Sequence, residues 1–274
     1  MSGIGILPQF NHKFIGVRYH FNSFYTHLNN DPTQFSRDFY QTVEIWGGWN
    51  FGKRVQVLTF VPYNTNHQKS DEGAVDLKGL SDILLLANYK LLDINSVSNN
   101  NKIISQQLWM GVGIKLPTGK FEIEDTDPDV ASVANRQLGS GSTDILLNAM
   151  YNVHINHIGV NTSASYKINS TNKEDYKFGN KLSASSFVYY ALALSKTIIS
   201  PNLGLLYEQT EGSELQNSKI DLTAGSLLQG SIGAEISFSK ITVGVNTQFP
   251  FAQNFSENQT KAKIKGMAHI SFAF

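Results

Sequence analysis

The sequence contains no cysteine, which excludes a disulfide framework and a thiolate metal site. Charge is also scarce, because Asp, Glu, Lys and Arg make up only 16% of the 274 residues, below the roughly 25% usual in soluble domains. The 22 basic and 22 acidic residues cancel, so nothing in the charge suggests a nucleic-acid partner. No apolar run reaches the ~18 residues that a membrane helix needs. At this length the chain could be one large β domain or two smaller ones. A barrel, in which only every second residue meets lipid, reconciles the low charge with the lack of a long apolar run.

What the chain does have is period-two alternation of apolar and polar residues, which is typical of β-strands. Six alternating stretches end on an aromatic residue of the apolar face. A transmembrane β-barrel places such aromatics in a girdle at the lipid headgroups, whereas a soluble sheet has no reason to do so. The girdle candidates are Trp49, Tyr89, Tyr151, Tyr190, Phe238 and Phe274.

The alternation predicts an all-β fold, a transmembrane antiparallel up-and-down β-barrel of about twelve strands, an even number as bacterial barrels require. Residues 12–274 form this single domain. Residues 1–11 form a separate N-terminal segment, which is either a plug, a periplasmic contact or a frayed terminus. For the strand at 54–63 the lipid-facing side is ambiguous, since both Val55/Val57/Val61 and Leu58/Phe60 suit lipid. The predicted strands are 12–25, 39–51, 54–63, 80–91, 104–116, 143–153, 158–168, 182–190, 203–207, 230–238, 241–249 and 264–274.

Connection lengths support the same architecture, because outer-membrane barrels have short periplasmic turns and longer outer loops. With Phe274 at the periplasmic end, the turns at 52–53, 154–157 and 239–240 fall inside. The stretches 26–38, 64–79, 118–142 and 209–225 fall outside, while the turn at 93–102 is longer than expected. We therefore predict a location in the bacterial outer membrane. Residues 1–10 lack the pattern of a signal peptide, so we expect that one has been removed.

The inward polar residues are the candidate functional set. In an open barrel they would line a pore and set its ion selectivity; in a closed barrel they would pair and fill the interior, and twelve strands lie between these limits. The pore-lining candidates are Arg18, His20, Glu44, Asp82, Lys90, Gln107, Trp109, Lys115, Asp144, Asn148, Lys167, Glu235 and His269.

Catalysis is not predicted. Of the seven histidines, His20 faces inward near Ser23, but the chain has no Gly-x-Ser-x-Gly motif. A metal held by His12, His154 and His157 would have no spacing motif behind it. We therefore expect neither an enzyme, nor a metal site, nor a cofactor.

Three segments resemble a known family. Gly79-Leu-Ser-Asp82, Leu116-Pro-Thr-Gly119 and Gly141-Ser-Thr-Asp144 are similar to the strand starts and strand end of the bacterial outer-membrane transporters called the meta-pathway of phenol degradation family. The match covers about the central quarter of the chain, and residues 5–18 look like the Bacteroidetes branch. The resemblance implies a barrel with a transport role, and the family's name implies aromatic solutes.

The predicted function is therefore passive or facilitated uptake of small, hydrophobic or aromatic molecules through an outer-membrane barrel. The alternative is a closed barrel that serves as a structural or docking component of an envelope complex; an outer-membrane lipid hydrolase is the third class. The expected partners are the lipid bilayer with its lipopolysaccharide, a small-molecule solute, and the barrel-assembly machinery, which would recognise the strand that ends at Phe274.

Overall fold

The protein, analysed as a computed structural model, is described over residues 13–27, 34–71, 73–97, 103–123 and 130–274. Numbered in chain order, the strands of its first half are β1 (Phe14–His27), β2 (Phe35–Phe51), β3 (Val55–Ser70), β4 (Gly73–Leu80), β5 (Ile83–Val97) and β6 (Ile103–Leu116). A short helix, α1 (Val130–Arg136), separates them from β7 (Asp144–Ile155) and β8 (Ile158–Ile168). The second half contains β9 (Tyr176–Lys177), β10 (Lys181–Tyr190), β11 (Leu192–Leu194), β12 (Thr197–Thr210), β13 (Glu214–Leu215), β14 (Ser218–Lys219), β15 (Gly225–Phe238), β16 (Ile241–Phe255), β17 (Thr260–Ala262) and β18 (Lys265–Ala273).

Twelve antiparallel wall strands close into a ring. Almost every wall strand pairs with its neighbours in the chain, and the ring closes where β18 pairs with both β1 and β16. Three wall strands are interrupted and consist of β4 with β5, β10 with β11, and β17 with β18. The predicted fold class, a closed barrel of twelve strands, is confirmed.

The barrel is apolar outside and largely polar inside. On β6, Met110, Val112 and Ile114 are exposed while the flanking Trp109 and Lys115 are buried, as period-two geometry requires when one face meets lipid. The six aromatics that end the alternating stretches all face outward, and their side chains are between 37% and 54% exposed. Their placement at the headgroup level stays a prediction.

Tight turns join the strands at the periplasmic end. The turns at 156–157, 195–196 and 239–240 each begin with a residue of positive φ, namely Asn156, Ser195 and Ser239, which is the geometry that two-residue hairpins require. Two bulges modify the wall, with Leu91 as the extra residue on β5 and Phe251 on β16. Bulges bend a strand and increase its local twist, which helps a sheet to close.

The outer end carries a small cap. Phe121, Ala134 and Tyr176 form a buried cluster, on which Phe178 and Leu215 also pack. Burial in this cluster raises the pKa of the Tyr176 phenol. The cap joins the connection between β6 and β7, which contains α1 and is called the α1 loop below, to the small sheet of β9, β13 and β14. Among the described residues, no helix is long and apolar enough to cross a membrane.

Several predicted boundaries were wrong in the same direction. The stretch 64–79, expected to be an outer loop, is mostly the hairpin of β3 and β4. The strand expected at 203–207 extends over the whole of β12, and β5 continues to Val97, which shortens the long turn expected at 93–102. In the hairpin of β3 and β4, apolar alternation stops while backbone pairing continues. At the start of β12, Ile199 and Pro201 keep the alternation with Ser200 and Asn202, so the predicted strand was simply too short.

Candidate functional site in the barrel interior

The structure places all thirteen pore-lining candidates on the inward side of the wall. Eleven of them are buried, while His20 and Lys167 are partly exposed. Whether they line a solute pathway stays a prediction. The ambiguous strand β3 turns Val55, Val57 and Val61 outward and Leu58 and Phe60 inward, where both are at most 2% exposed.

One side of the interior is apolar, which the alternation of the sequence largely did not predict. Trp46 and Phe60 stack with their ring centroids 6.4 Å apart, and Phe14 meets Trp46 edge to face at 4.6 Å. Leucines of β3 and β5 and Met150 of β7 continue the surface. This apolar wall comprises Phe14, Trp46, Leu58, Phe60, Leu84, Leu86, Trp109, Leu146 and Met150.

The opposite side, formed by β8, β12 and β15, is largely polar, although it also buries Leu206 and Leu227. Several of its buried polar atoms have no hydrogen-bond partner among the described residues, although buried polar groups in proteins are almost always paired. They can therefore be satisfied only by water, by a solute or by a local rearrangement of side chains. This polar wall includes Asn161 Nδ2, Ser200 Oγ, Asn202 Oδ1, both amide atoms of Gln229, and Ser231 Oγ.

The most connected charge is Lys115, at the outer end of β6. Its Nζ lies 2.7 Å from Asp82 Oδ2 and 2.9 Å from Asp144 Oδ2, and it also donates to the Ser140 hydroxyl. Asp82 and Asp144 are buried and accept further bonds from Gly119 and Ser142. A lysine between two buried carboxylates balances charges that would otherwise be costly to desolvate.

The three motifs that resemble the transporter family meet in this network. Gly119 donates its backbone N–H to Asp82 Oδ1 at 3.0 Å, so the first and second motifs touch. Lys115 joins both to Asp144 of the third motif. A Cβ on Gly119 would lie 2.7 Å from Gly139 Cα, which explains a glycine at this position.

The charges continue around the outer mouth through residues that the sequence analysis did not select. Lys181 Nζ lies 2.8 Å and Lys265 Nζ 3.8 Å from Glu208 Oε2. Lys167, which lies 3.9 Å from Asp144 Oδ2, is the backbone partner of Lys181 and connects the two groups. We call the set Asp82, Lys115, Asp144, Lys167, Lys181, Glu208 and Lys265 the charged arc.

Other inward charges are also paired. Arg18 forms a buried ion pair with Glu44, and its guanidinium lies 5.3 Å from the Trp46 ring centre. His269 lies 3.3 Å from Glu235 Oε1. Lys90 bonds Asp93 at 2.8 Å and lies 4.9 Å from the ring centre of Trp109. Gln107 also reaches Asp93, whereas Asn148 bonds Asn88.

The α1 loop lies against the inward face of the wall. Arg136 Nη1 donates to Gln68 Oε1 at 2.9 Å, and Asn66 Nδ2 donates to the Arg136 carbonyl at 2.8 Å. Ser140 donates its backbone N–H to Asp82 Oδ2 at 2.9 Å. Since Asn66, Gln68 and Asp82 all face inward, this loop narrows the outer mouth.

Among the described residues, the histidines form no site of the kind considered from the sequence. His154 stacks on Tyr189 at 6.0 Å and His157 lies 5.9 Å from Tyr190, both near a periplasmic turn. His12 and the proposed plug, residues 1–11, lie outside the described residues. Within the described ranges, no group of three or more His, Cys, Asp or Glu side chains could hold a metal ion.

Solved structures share this architecture. An outer membrane channel from Pseudomonas putida F1 matches with a TM-score of 0.66 at 16% identity, over 100% of this chain and 99% of that one. The β domain of the Bordetella autotransporter BrkA matches with a TM-score of 0.53 at 11% identity, over 96% and 100%. No family model and no curated protein matches the sequence. At these identities, the likeness shows the fold.

The fold and the surface of the barrel indicate the cellular location of the protein. The chain forms a closed barrel with an apolar exterior, which is the architecture of outer-membrane proteins in Gram-negative bacteria. It is therefore an outer-membrane β-barrel.

Proposed function

We propose that the protein is an outer-membrane channel for small molecules that carry apolar surface. The observation that carries this proposal is the division of the interior into an apolar wall and a polar wall with unpartnered polar atoms. Such a lumen can offer an aromatic or aliphatic solute apolar contact on one side and hydrogen bonds on the other.

Two further observations support transport. The structural neighbour from Pseudomonas putida F1 is an outer membrane channel, and the three motifs that meet around Lys115 resemble those of an outer-membrane transporter family. Because the charges of the arc are paired with opposite charges, we expect weak ion selectivity. We propose no catalytic step in the barrel interior.

A specific observation favours a second function. Leu58, Leu84, Leu86 and Trp109 are at most 2% exposed, so the apolar wall is densely packed. If this packing closes the lumen, the barrel would act as a structural or docking component of an envelope complex. In either case we propose that the barrel-assembly machinery recognises the strand ending at Phe274, and that lipopolysaccharide surrounds the outer leaflet.

A pair of neighbouring residues gives a matched test. Ser231 faces the lumen and Ile232 faces lipid, so Ser231→Trp should reduce solute flux while Ile232→Trp should not. We would measure single-channel conductance and the swelling of proteoliposomes in solutes of graded size. A folded wild-type protein that is silent in both assays would make the docking function the better conclusion.

The cysteine-free chain permits a second measurement. Ser163→Cys, at an inward and partly exposed position of β8 on the polar side, should react in the folded barrel with a small water-soluble thiol reagent, and the reaction should lower conductance. Leu203→Cys, which faces lipid, is the control and should resist the same reagent. Equal protection of both cysteines would show that water does not reach the polar wall.

A further inference from the structure

A groove lies on the outer surface of the barrel. It has a volume of about 620 Å³ and is lined chiefly by outward residues of β5, β6, β7 and β8. Three alanines, Ala87, Ala149 and Ala164, give it depth, because their side chains are shorter than those around them. Tyr89 and Tyr166 lie at its edges.

The groove follows two rows of paired residues across the wall. One row runs from Val55 through Tyr89, Met110 and Ala149 to Ala164. The parallel row runs from Ala87 through Val112, Leu147 and Tyr166 to Leu182. The groove therefore runs obliquely across six neighbouring wall strands and is not a gap between two of them.

Its lower end lies at the periplasmic edge of the membrane. Val55 is the first residue of β3, directly after a periplasmic turn, whereas Ala164 lies six positions after Ile158, the first residue of β8. Six residues of a strand tilted by about 40° rise roughly 15 Å. That height is about half of a ~30 Å hydrocarbon core, or one leaflet.

Two cations stand at this lower end. Lys53 and Arg54 are both exposed in the turn before Val55, and Arg54 Nη1 donates to the Tyr89 hydroxyl at 3.4 Å. The guanidinium is thus held beside an edge of the groove. An arginine at headgroup depth can form charge-assisted hydrogen bonds with a phosphate.

We propose that the groove and the turn together bind one phospholipid of the periplasmic leaflet. Arg54 and Lys53 hold its phosphate, and an acyl chain lies over Ala149 and Ala164. The groove starts at the depth of the headgroup and rises through one leaflet, which suits a phospholipid better than a second copy of the chain.

The test compares two lipids that differ only in the headgroup. Delipidated, folded protein would be titrated with dioleoyl phosphatidylglycerol and with dioleoylglycerol, and bound lipid counted by native mass spectrometry. One phosphatidylglycerol should bind per chain, about tenfold more tightly than dioleoylglycerol. Arg54→Gln should remove most of that preference, and Ala149→Phe with Ala164→Phe should weaken both lipids.

Matched controls lie on another part of the barrel. Lys240→Gln changes a cation in a different periplasmic turn, and Ala268→Phe fills a different outward alanine position. Both should bind phosphatidylglycerol as the wild type does. The proposal would be overturned by equal binding of the two lipids, by normal binding in the groove-filled variant, or by a dimer that the groove-filled variant loses. Heat-dependent electrophoretic mobility would show that every variant is folded.

Discussion

At the scale of single residues, the charge balance of the outer mouth depends on Lys115. Two carboxylates with almost no exposed surface face its ammonium group. Removing one partner of a buried ion pair is costly because the remaining charge stays desolvated, whereas a fully exposed pair contributes little.

We expect Lys115→Met to lower the free energy of unfolding by about 3 kcal/mol, since Asp82 and Asp144 would face each other uncompensated. The measurement is equilibrium unfolding in urea from detergent or vesicles. Lys120→Met is the control, because Lys120 pairs with Glu122 where both side chains are about 70% exposed, and it should change stability by less than ~1 kcal/mol. Equal effects of the two substitutions would contradict the assigned role.

Once a strand was recognised, the alternation of its residues predicted which side chains face inward. This is why all thirteen pore-lining candidates lie on the inward side. Lys265 has the same parity as His269 and could have been selected. Lys181 and Glu208 were missed because the predicted strands began at 182 and ended at 207, one residue short in each case. The bonds from Ser140 to Asp82 span 58 positions, and alternation carries no signal for such contacts.

At the scale of elements, the depth of a strand residue in the bilayer sets the cost of a charge. Ile232 lies near the centre of β15 and is 54% exposed to lipid, whereas Phe238 ends the strand. Ile232→Arg should destabilise the barrel by roughly 2–4 kcal/mol and Phe238→Arg by no more than about 1 kcal/mol. Unfolding from phospholipid vesicles would measure both. A small effect at Ile232 would argue against a lipid-facing position.

The α1 loop is the element expected to limit the outer mouth. The Gly139 N–H donates to the Lys120 carbonyl at 3.0 Å, so residues 121–138 can be removed while the ends stay together. Since the loop lies on the inward side of Asn66 and Gln68, its removal should increase single-channel conductance. Unchanged conductance from a folded variant would show that the constriction lies elsewhere.

The sequence predicted the number and order of wall strands because lipid enforces strict alternation. It did not predict the outer ends of β3 and β4, since a strand in water obeys no such pattern. The facing of β3 could not be chosen either, because Leu58 and Phe60 pack on an apolar interior that a water-filled barrel would lack. Only the pairing of β3 with β2 and β5 decides it.

At the scale of the whole molecule, assembly in the cell and stability can be separated at Phe274. Its backbone N–H bonds the Lys13 carbonyl, but its side chain is 54% exposed. Phe274→Ala should therefore refold in detergent as the wild type does, yet accumulate less in the outer membrane. Phe272→Ala, one outward position earlier, is the control. Equal accumulation of both variants would contradict recognition of the terminal aromatic by the assembly machinery.

The closing of the ring also has a kinetic consequence. Hairpins such as β7 with β8 join residues that are close in the chain and can form quickly, whereas Phe14 and Ala273 are paired across nearly the whole sequence. The entropy of closing so long a loop must be overcome before that last pair contributes any stability. Closure of β1 on β18 should therefore be the slow phase of refolding, and spectroscopic probes on these two strands should report it after the hairpins have formed.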